Sequence, residues 1–245
     1  MAIQKRSEHQ RFIRKWTGVC PSGLILKTDL FEDAFGLDTI VFDLYPPGCA
    51  RLVGMDIAPT TVRAACARAT TQPLHGLVAD LRALPIRSES LDLVVSTSTL
   101  DHFPTRAEFR LALSQICAAL KPGGTLVITL DNPLNPLYGA LRLASRIGWT
   151  PFPLGHTPAP WQLTRALRRH GMDVLDRGWL IHNPRVLSTV LFRILRLTAG
   201  SRAGAIIRGL LQLFAVLDRL PTRCFTACFY GLHARKCSRQ DSGGS

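Results

Sequence analysis

Lysine is scarce in this chain. Of its 30 basic residues only Lys5, Lys15, Lys27, Lys121 and Lys236 are lysines, so the formal charge of +13 over 245 residues is carried almost wholly by arginine. That bias fits genome composition as well as it fits binding, and alone it does not mark a nucleic-acid or membrane protein. Acids are thin towards the C-terminus: from Arg185 onward only Asp218 and Asp241 stand against ten basic residues. The seven cysteines are scattered and include no C-x-x-C pair, which excludes a zinc-finger pattern and predicts reduced thiols in a cytosolic protein. No histidine has metal-ligand spacing, so no metal is expected. The first fifteen residues are basic and polar with no apolar run behind them, so no signal peptide is expected. The apolar segment Val186–Leu217 is interrupted by Arg193, Arg196, Arg202 and Arg208. Each arginine near a bilayer centre would cost about 2.5–3.5 kcal/mol, which excludes a membrane span. Also missing is glycine in one particular place: between Gly23 and Gly36 the chain reads "GLILKTDLFEDAFG".

What is present alternates between strand and helix patterns from Gly23 to about Leu180, the signature of a parallel sheet with helices on both faces. "RLVGMD" (51–56), "GLVAD" (76–80), "LDLVVS" (91–96) and "TLVITL" (125–130) read as strands, with "LIL" (24–26) as the first. "DTIVFDLY" (38–45) reads as a short helix before Pro46-Pro47-Gly48. Thr105-Arg106-Ala107-Glu108 is a capping box opening a helix to Leu120, which "KPGG" stops. "APWQLTRALRRHG" and "MDVLDRGWLI" form a further helix–strand pair, and Cys224–Lys236 the last strand. Two amphipathic helices are expected within 184–220, with their arginines on one face. The domain is expected over 23–236, after a basic N-terminal segment (1–22) and before a disordered tail (237–245).

Asp56 and Asp80 both stand at carboxyl ends of strands, where ligands of a doubly wound sheet bind. An acid after the second strand can accept both hydroxyls of a ribose, and an acid after the third an adenine amino group. Lone aspartates also cap helices. Here they stand within a longer pattern, "RLVGMDIAPTTVRAACARA", "VADLRALPIRSESLDLVVSTSTLDHF" and "LALSQICAALKPGGTLVITLDNP".

That pattern resembles the class I S-adenosylmethionine-dependent methyltransferases, closely over Arg51–Pro133 and by strand count over most of Gly23–Lys236. The resemblance implies a Rossmann-like α/β fold, a seven-stranded sheet with its last strand antiparallel, and S-adenosyl-L-methionine as cofactor. It implies that Asp56 and Ile57 meet the ribose side, Asp80 and Leu81 the adenine, and Ser96 and Thr97 the methionine part. The departure is the glycine-free first loop, where Thr28 and Asp29 take the place of backbone contacts to the methionine ammonium. Asp101-His102, after the fourth strand, is either a catalytic pair with His102 as proton acceptor or a loop cap. Asp131-Asn132 is either a substrate contact or turn chemistry.

The expected activity is methyl transfer to a small-molecule or lipid-like acceptor by a cytoplasmic enzyme, with 185–219 as a segment for peripheral membrane contact. Nucleic acid is disfavoured as substrate, because no N-P-P-Y-type signature follows the fourth strand. The rival readings are a non-catalytic relative that has lost cofactor binding and a peripheral membrane module.

Overall fold

The computed structural model describes residues 2–18, 22–36, 44–70, 72–149, 154–182 and 217–238, with isolated positions between 198 and 210. The elements in order are α1 (Ala2–Thr17), β1 (Leu24–Thr28), α2 (Phe31–Phe35), β2 (Arg51–Asp56), α3 (Pro59–Arg68), β3 (Leu74–Val78), β4 (Leu91–Thr97), α4 (Arg106–Ala119), β5 (Leu120–Asp131), α5 (Pro136–Arg146), α6 (Pro160–Arg169), β6 (Met172–Leu180), the single turn α7 (Arg223–Thr226) and β7 (Phe229–Lys236). Among the described residues, 3₁₀ turns lie at Leu81–Ala83, Leu100–His102 and Leu217–Arg219.

The strands form one seven-stranded sheet in the order β3-β2-β1-β4-β5-β7-β6, with an antiparallel pairing at its end. β1 lies parallel to β2 on one side and to β4 on the other, so the strand order reverses at β1. The near-continuous apolar runs of β1 and β4 follow from burial on both faces.

The chain divides into two compact units. The first comprises residues 1–130, 154–178 and 231–245. Its core joins Ile25, Leu30, Leu52, Val62, Leu93, Val95 and Val127 from the sheet and its first helices. Ile13 of α1 is part of the same cluster, so the basic N-terminal segment is a packed helix. Phe12 of α1 lies where Gly178 and Gly231 leave room: a Cβ on either would stand within about 2.5 Å of the ring. Lys15 and Trp16 both donate to the Asp176 carboxylate, at 2.6 and 2.8 Å. Composition shows the charge of this segment; only its spacing, with Phe12, Ile13 and Trp16 on one face, signals the helix.

The second unit comprises residues 131–153 and 179–230. Asn132 donates from Nδ2 to the carbonyls of Cys224 and Ala227, at 2.7 and 2.9 Å, and accepts the Leu134 amide. Asn135 caps α5 through the Leu137 amide. These bonds follow the turn chemistry of "NPLNP".

Several boundaries differ from the sequence reading. β3 begins at Leu74 and ends at Val78, leaving Asp80 to cap the next turn. "KPGG" does not separate α4 from a strand at 125: β5 starts at Leu120, directly after the helix. The four residues form an irregularity in which Leu91 pairs Leu120 but Leu93 pairs Thr125. Gly123 adopts a left-handed φ of 76°, and a Cβ on Gly124 would collide with the Lys121 carbonyl. The final strand begins at Phe229, because Arg223–Thr226 closes a helical turn first. Cys49 is disulfide-bonded, which corrects the expectation of reduced thiols at that residue; the order of cysteines along the chain does not show which of them meet in the fold. Cys66, Cys117, Cys224, Cys228 and Cys237 are thiols. Most of the expected helix at 38–45, nearly all of the expected helices within 184–220 and the tail from 239 lie outside the described residues.

Candidate active site at the carboxyl edge of the sheet

The loop after β1 has no glycine, and side chains fasten it instead. Asp29 itself adopts φ 61°, a left-handed conformation that aspartate tolerates better than most non-glycine residues. Its carboxylate accepts the Phe31 amide at 2.9 Å, an Asx turn that opens α2. On the β2 side, the Asp56 carboxylate accepts the Leu30 amide (3.0 Å) with one oxygen and the Ala58 amide (2.9 Å) with the other. On the β4 side, Thr28 Oγ1 donates to Ser96 Oγ at 2.9 Å and lies 2.8 Å from Thr99 Oγ1. Beneath the loop, Lys27 Nζ donates to the carbonyls of Thr28 (2.9 Å) and Asp29 (2.5 Å) and stands 3.6 Å from the Asp33 carboxylate. The Lys27 and Asp33 side chains are only 3% and 0% exposed.

The second cluster gathers at the ends of β2 and β3, which the Ala79 amide joins by donating to the Asp56 carbonyl at 3.1 Å. Arg82 forks onto Asp80: Nε and Nη2 reach Oδ2 at 3.0 and 2.6 Å, and the Arg82 amide reaches Oδ1 at 2.8 Å. Arg82 Nη1 continues to Glu108 in the first turn of α4, at 2.5 Å, and its guanidinium lies 5.7 Å from the Phe103 ring. The Arg82 side chain holds the Asp80 carboxyl below the ordinary carboxylate range, as Thr105 and then Arg82 do for Glu108. Leu81 is buried beside Asp80, whereas Ile57, next to Asp56, is 66% exposed.

The third cluster follows β4. Ser96 is buried; Thr97, Ser98 and Thr99 are half-buried, with Ser98 at φ 49°. Asp101 is buried and its carbonyl accepts the Gly155 amide at 2.8 Å. His102 is exposed on the 3₁₀ turn.

All eight cofactor candidates therefore stand at the carboxyl ends of β1–β4, but in different states. Asp29, Asp56, Ile57, Asp80 and Thr97 retain exposure; Thr28, Ser96 and Leu81 are buried. Sequence reasoning passed over Lys27, Asp33 and Arg82. A lone lysine inside "LILKT" with an acid six residues on was the available signal for the first pair. Arg82, two residues after Asp80, carried none that distinguishes it from any surface arginine.

The edge fits S-adenosylmethionine in the chemistry of its donors. Two partly exposed carboxylates, Asp29 and Asp56, suit an ammonium and a ribose diol, and the exposed Ile57 offers an apolar surface to a flat ring. Asp80 fits less simply, since Arg82 already occupies both its oxygens.

The chain is similar to known proteins in sequence and in fold. A family model described as "Methyltransferase domain" matches residues 35–128. Ubiquinone biosynthesis O-methyltransferase of Methylobacterium sp. (strain 4-46) is 30% identical over 145 residues, 55% of this chain and 56% of that protein. The Methylobacterium nodulans protein of the same name is 30% identical over 147 residues. The chain thus spans about half the length of the curated relatives it matches. Among solved structures, the [4+2]-cyclase SpnF superposes with a TM-score of 0.61 at 17% identity, covering 94% of this chain and 80% of that one. The N-methyltransferase NodS from Bradyrhizobium japonicum WM9, in complex with S-adenosyl-L-homocysteine, gives 0.55 at 16% identity, covering 94% and 86%. Over residues 35–128 the chain is thus similar to a methyltransferase domain, and its fold is the one these solved structures share.

Proposed function

We propose that the protein transfers a methyl group from S-adenosylmethionine to a small-molecule acceptor. The observation that carries this reading is the pairing of Asp56 and Asp80 at adjacent strand ends on a sheet that reverses order at β1. Asp56 holds the ribose hydroxyls with the acceptor capacity its two amide contacts leave free. Ile57 and Leu81 border the adenine, and Asp80 receives its amino group as Arg82 yields one contact. Asp29 takes the ammonium, with Thr97 beside the methionine chain, while Thr28 and Ser96 position the loop from below. When bound, the cofactor supplies an electrophilic methyl carbon on a sulfonium sulfur. The chain's share is to hold the acceptor in line with it and to exclude water. His102 receives the acceptor's proton, with the buried Asp101 anchoring its turn.

The curated relatives' names favour a hydroxyl acceptor on a quinone-type ring, and such an acceptor is lipid-like when it bears an apolar tail. We place the protein in the cytoplasm, with peripheral membrane contact through 185–219 as the finer part of this proposal. Among the described residues no helix is long and apolar enough to cross a membrane. SpnF bears on the rival reading: a relative in fold is named for a cyclisation, so fold alone does not fix the chemistry.

Two measurements separate the outcomes. Calorimetry with S-adenosylmethionine tests the site; transfer of labelled methyl to a panel of hydroxylated aromatics and amines tests the activity. Binding without transfer to any acceptor would favour a non-methylating role. Absence of binding would overturn the proposal. Should Asp29→Asn keep full affinity while Asp56→Ala abolishes it, the ammonium contact is not made by Asp29.

A further inference from the structure

A groove of about 720 Å³ runs along the first unit between α4 and α6. Arg106 and Arg110 line one wall and Arg165 and Arg169 the other. Each pair is spaced four residues apart on its helix, so each wall presents a row of guanidinium groups. Among the described residues no aspartate or glutamate lines the groove, and the sequence has none between Asp131 and Asp173.

Some other cations of the described surface do meet acids. Lys15 is paired with Asp176, Arg82 with Asp80 and Glu108, Lys121 with Asp92, and Lys236 with Glu89. Among the described residues none of the four groove arginines has an acidic partner. Like charges four apart on a helix repel one another, and facing rows add to this. Such an arrangement is relieved by an anion of matching length.

We propose that this groove binds an acidic amphipathic helix of a partner protein. Three observations select that occupant. Glutamates four apart on a helix repeat at the same spacing as the arginines on each wall, so two helices lying side by side match charge for charge. The groove also has apolar anchoring points: Trp161 is 60% exposed, Leu111 is exposed, and Phe109 forms the floor. An apolar ridge on the incoming helix has a place to seat, as in helix-in-groove recognition. Finally, the exposed rings of the lining, Trp161 and His170, stand at opposite ends of α6 and do not form a row, and Phe109 is buried edge-on to His156. A single-stranded nucleic acid needs successive rings to stack on, and a flat lipid surface does not enter a concave groove. The binding is independent of the activity proposed above.

The test is fluorescence anisotropy on the full chain with a labelled helical peptide carrying glutamates four apart on both flanks of a leucine ridge. A permuted peptide of the same composition and a labelled oligouridine serve as the other probes. The patterned peptide is expected to bind at least about tenfold more tightly than the permuted one, and to lose roughly tenfold in R106Q/R110Q and again in R165Q/R169Q. R142Q/R146Q, on α5, is expected to leave it unchanged. The four groove arginines are solvent-facing or groove-lining, so melting curves of the variants should overlay that of the parent. Equal binding of the permuted peptide, or unchanged binding by both double variants, would overturn the proposal. So would tighter binding of oligouridine lost in the same variants, which would make the groove a nucleic-acid site.

Discussion

Replacing Lys27 by methionine removes the only cation in β1 and leaves Asp33 buried without it. The Nζ atom stands 3.6 Å from the Asp33 carboxylate and donates to two loop carbonyls, and both side chains are almost fully shielded from water. Removing one member of such a pair costs about 3–5 kcal/mol, because a charge stays behind in a poor solvent. Against a total stability of roughly 5–15 kcal/mol this is a large fraction. For a chain of this size about 2–4 °C of melting temperature follows each kcal/mol, so Lys27→Met should melt some 6–20 °C lower. The double variant Lys27→Met, Asp33→Leu should recover most of the loss, since replacing both partners with apolar groups of similar volume is often neutral. Urea unfolding followed by circular dichroism measures all three proteins. A loss below about 1 kcal/mol in the single variant, or a double variant worse than the single one, would show that the pair is not an ion pair in a dry site.

Other outcomes are as definite. Asp56→Asn should weaken S-adenosylmethionine binding by about 1.5–3 kcal/mol in calorimetry, while its retained carbonyl oxygen limits the loss of stability. Asp29→Ala should destabilise by roughly 1–2 kcal/mol in thermal melts, through the left-handed backbone and the lost Asx turn, whereas Asp29→Gly should cost less. His233 is held below its ordinary 6.5, first by burial and then by Arg235 and Lys15, against the opposing pull of Asp176. Its unfolded form therefore binds the proton more readily, so stability is full above pH 6.5 and falls as pH drops below it; His233→Gln should flatten that slope in melts between pH 7 and about 5. Burial pushes the Cys117 thiol up to about 12, so it should resist alkylation at pH 8 in the native protein and react on unfolding, as mass spectrometry reads directly.

How far the sequence disclosed this architecture differs by element. β2, β4, α4 and α6 were legible because their signals are local: apolar runs bounded by an acid, a capping box, a proline at the first turn. The boundaries that moved depend on partners distant in sequence. "KPGG" looks like a stop until Leu120 is seen paired with Leu91, and α1 looks like a charged tail until Phe12 meets Gly178 and Gly231. At the candidate site, the places of Asp56 and Asp80 by strand ends were legible, since each follows an apolar run. The Asp80–Arg82–Glu108 chain was not, because a salt bridge between residues 26 positions apart leaves no periodic trace. The fastening of the first loop by Lys27, Asp56 and Thr28 was likewise hidden, since each contact crosses from one strand end to another.

A first loop built without glycine also behaves differently in time. Each glycine exchanged for another residue removes backbone freedom from the unfolded chain, worth roughly 0.5–1 kcal/mol where the native conformation is tolerated. A loop secured by Asp29, Asp56, Thr28 and Lys27 already sits in one arrangement before any ligand arrives, so less ordering remains to be done on binding. The same fastenings must break for the loop to open. For the cofactor proposed above, this predicts entry and exit that are slow for its affinity, which stopped-flow binding reads directly.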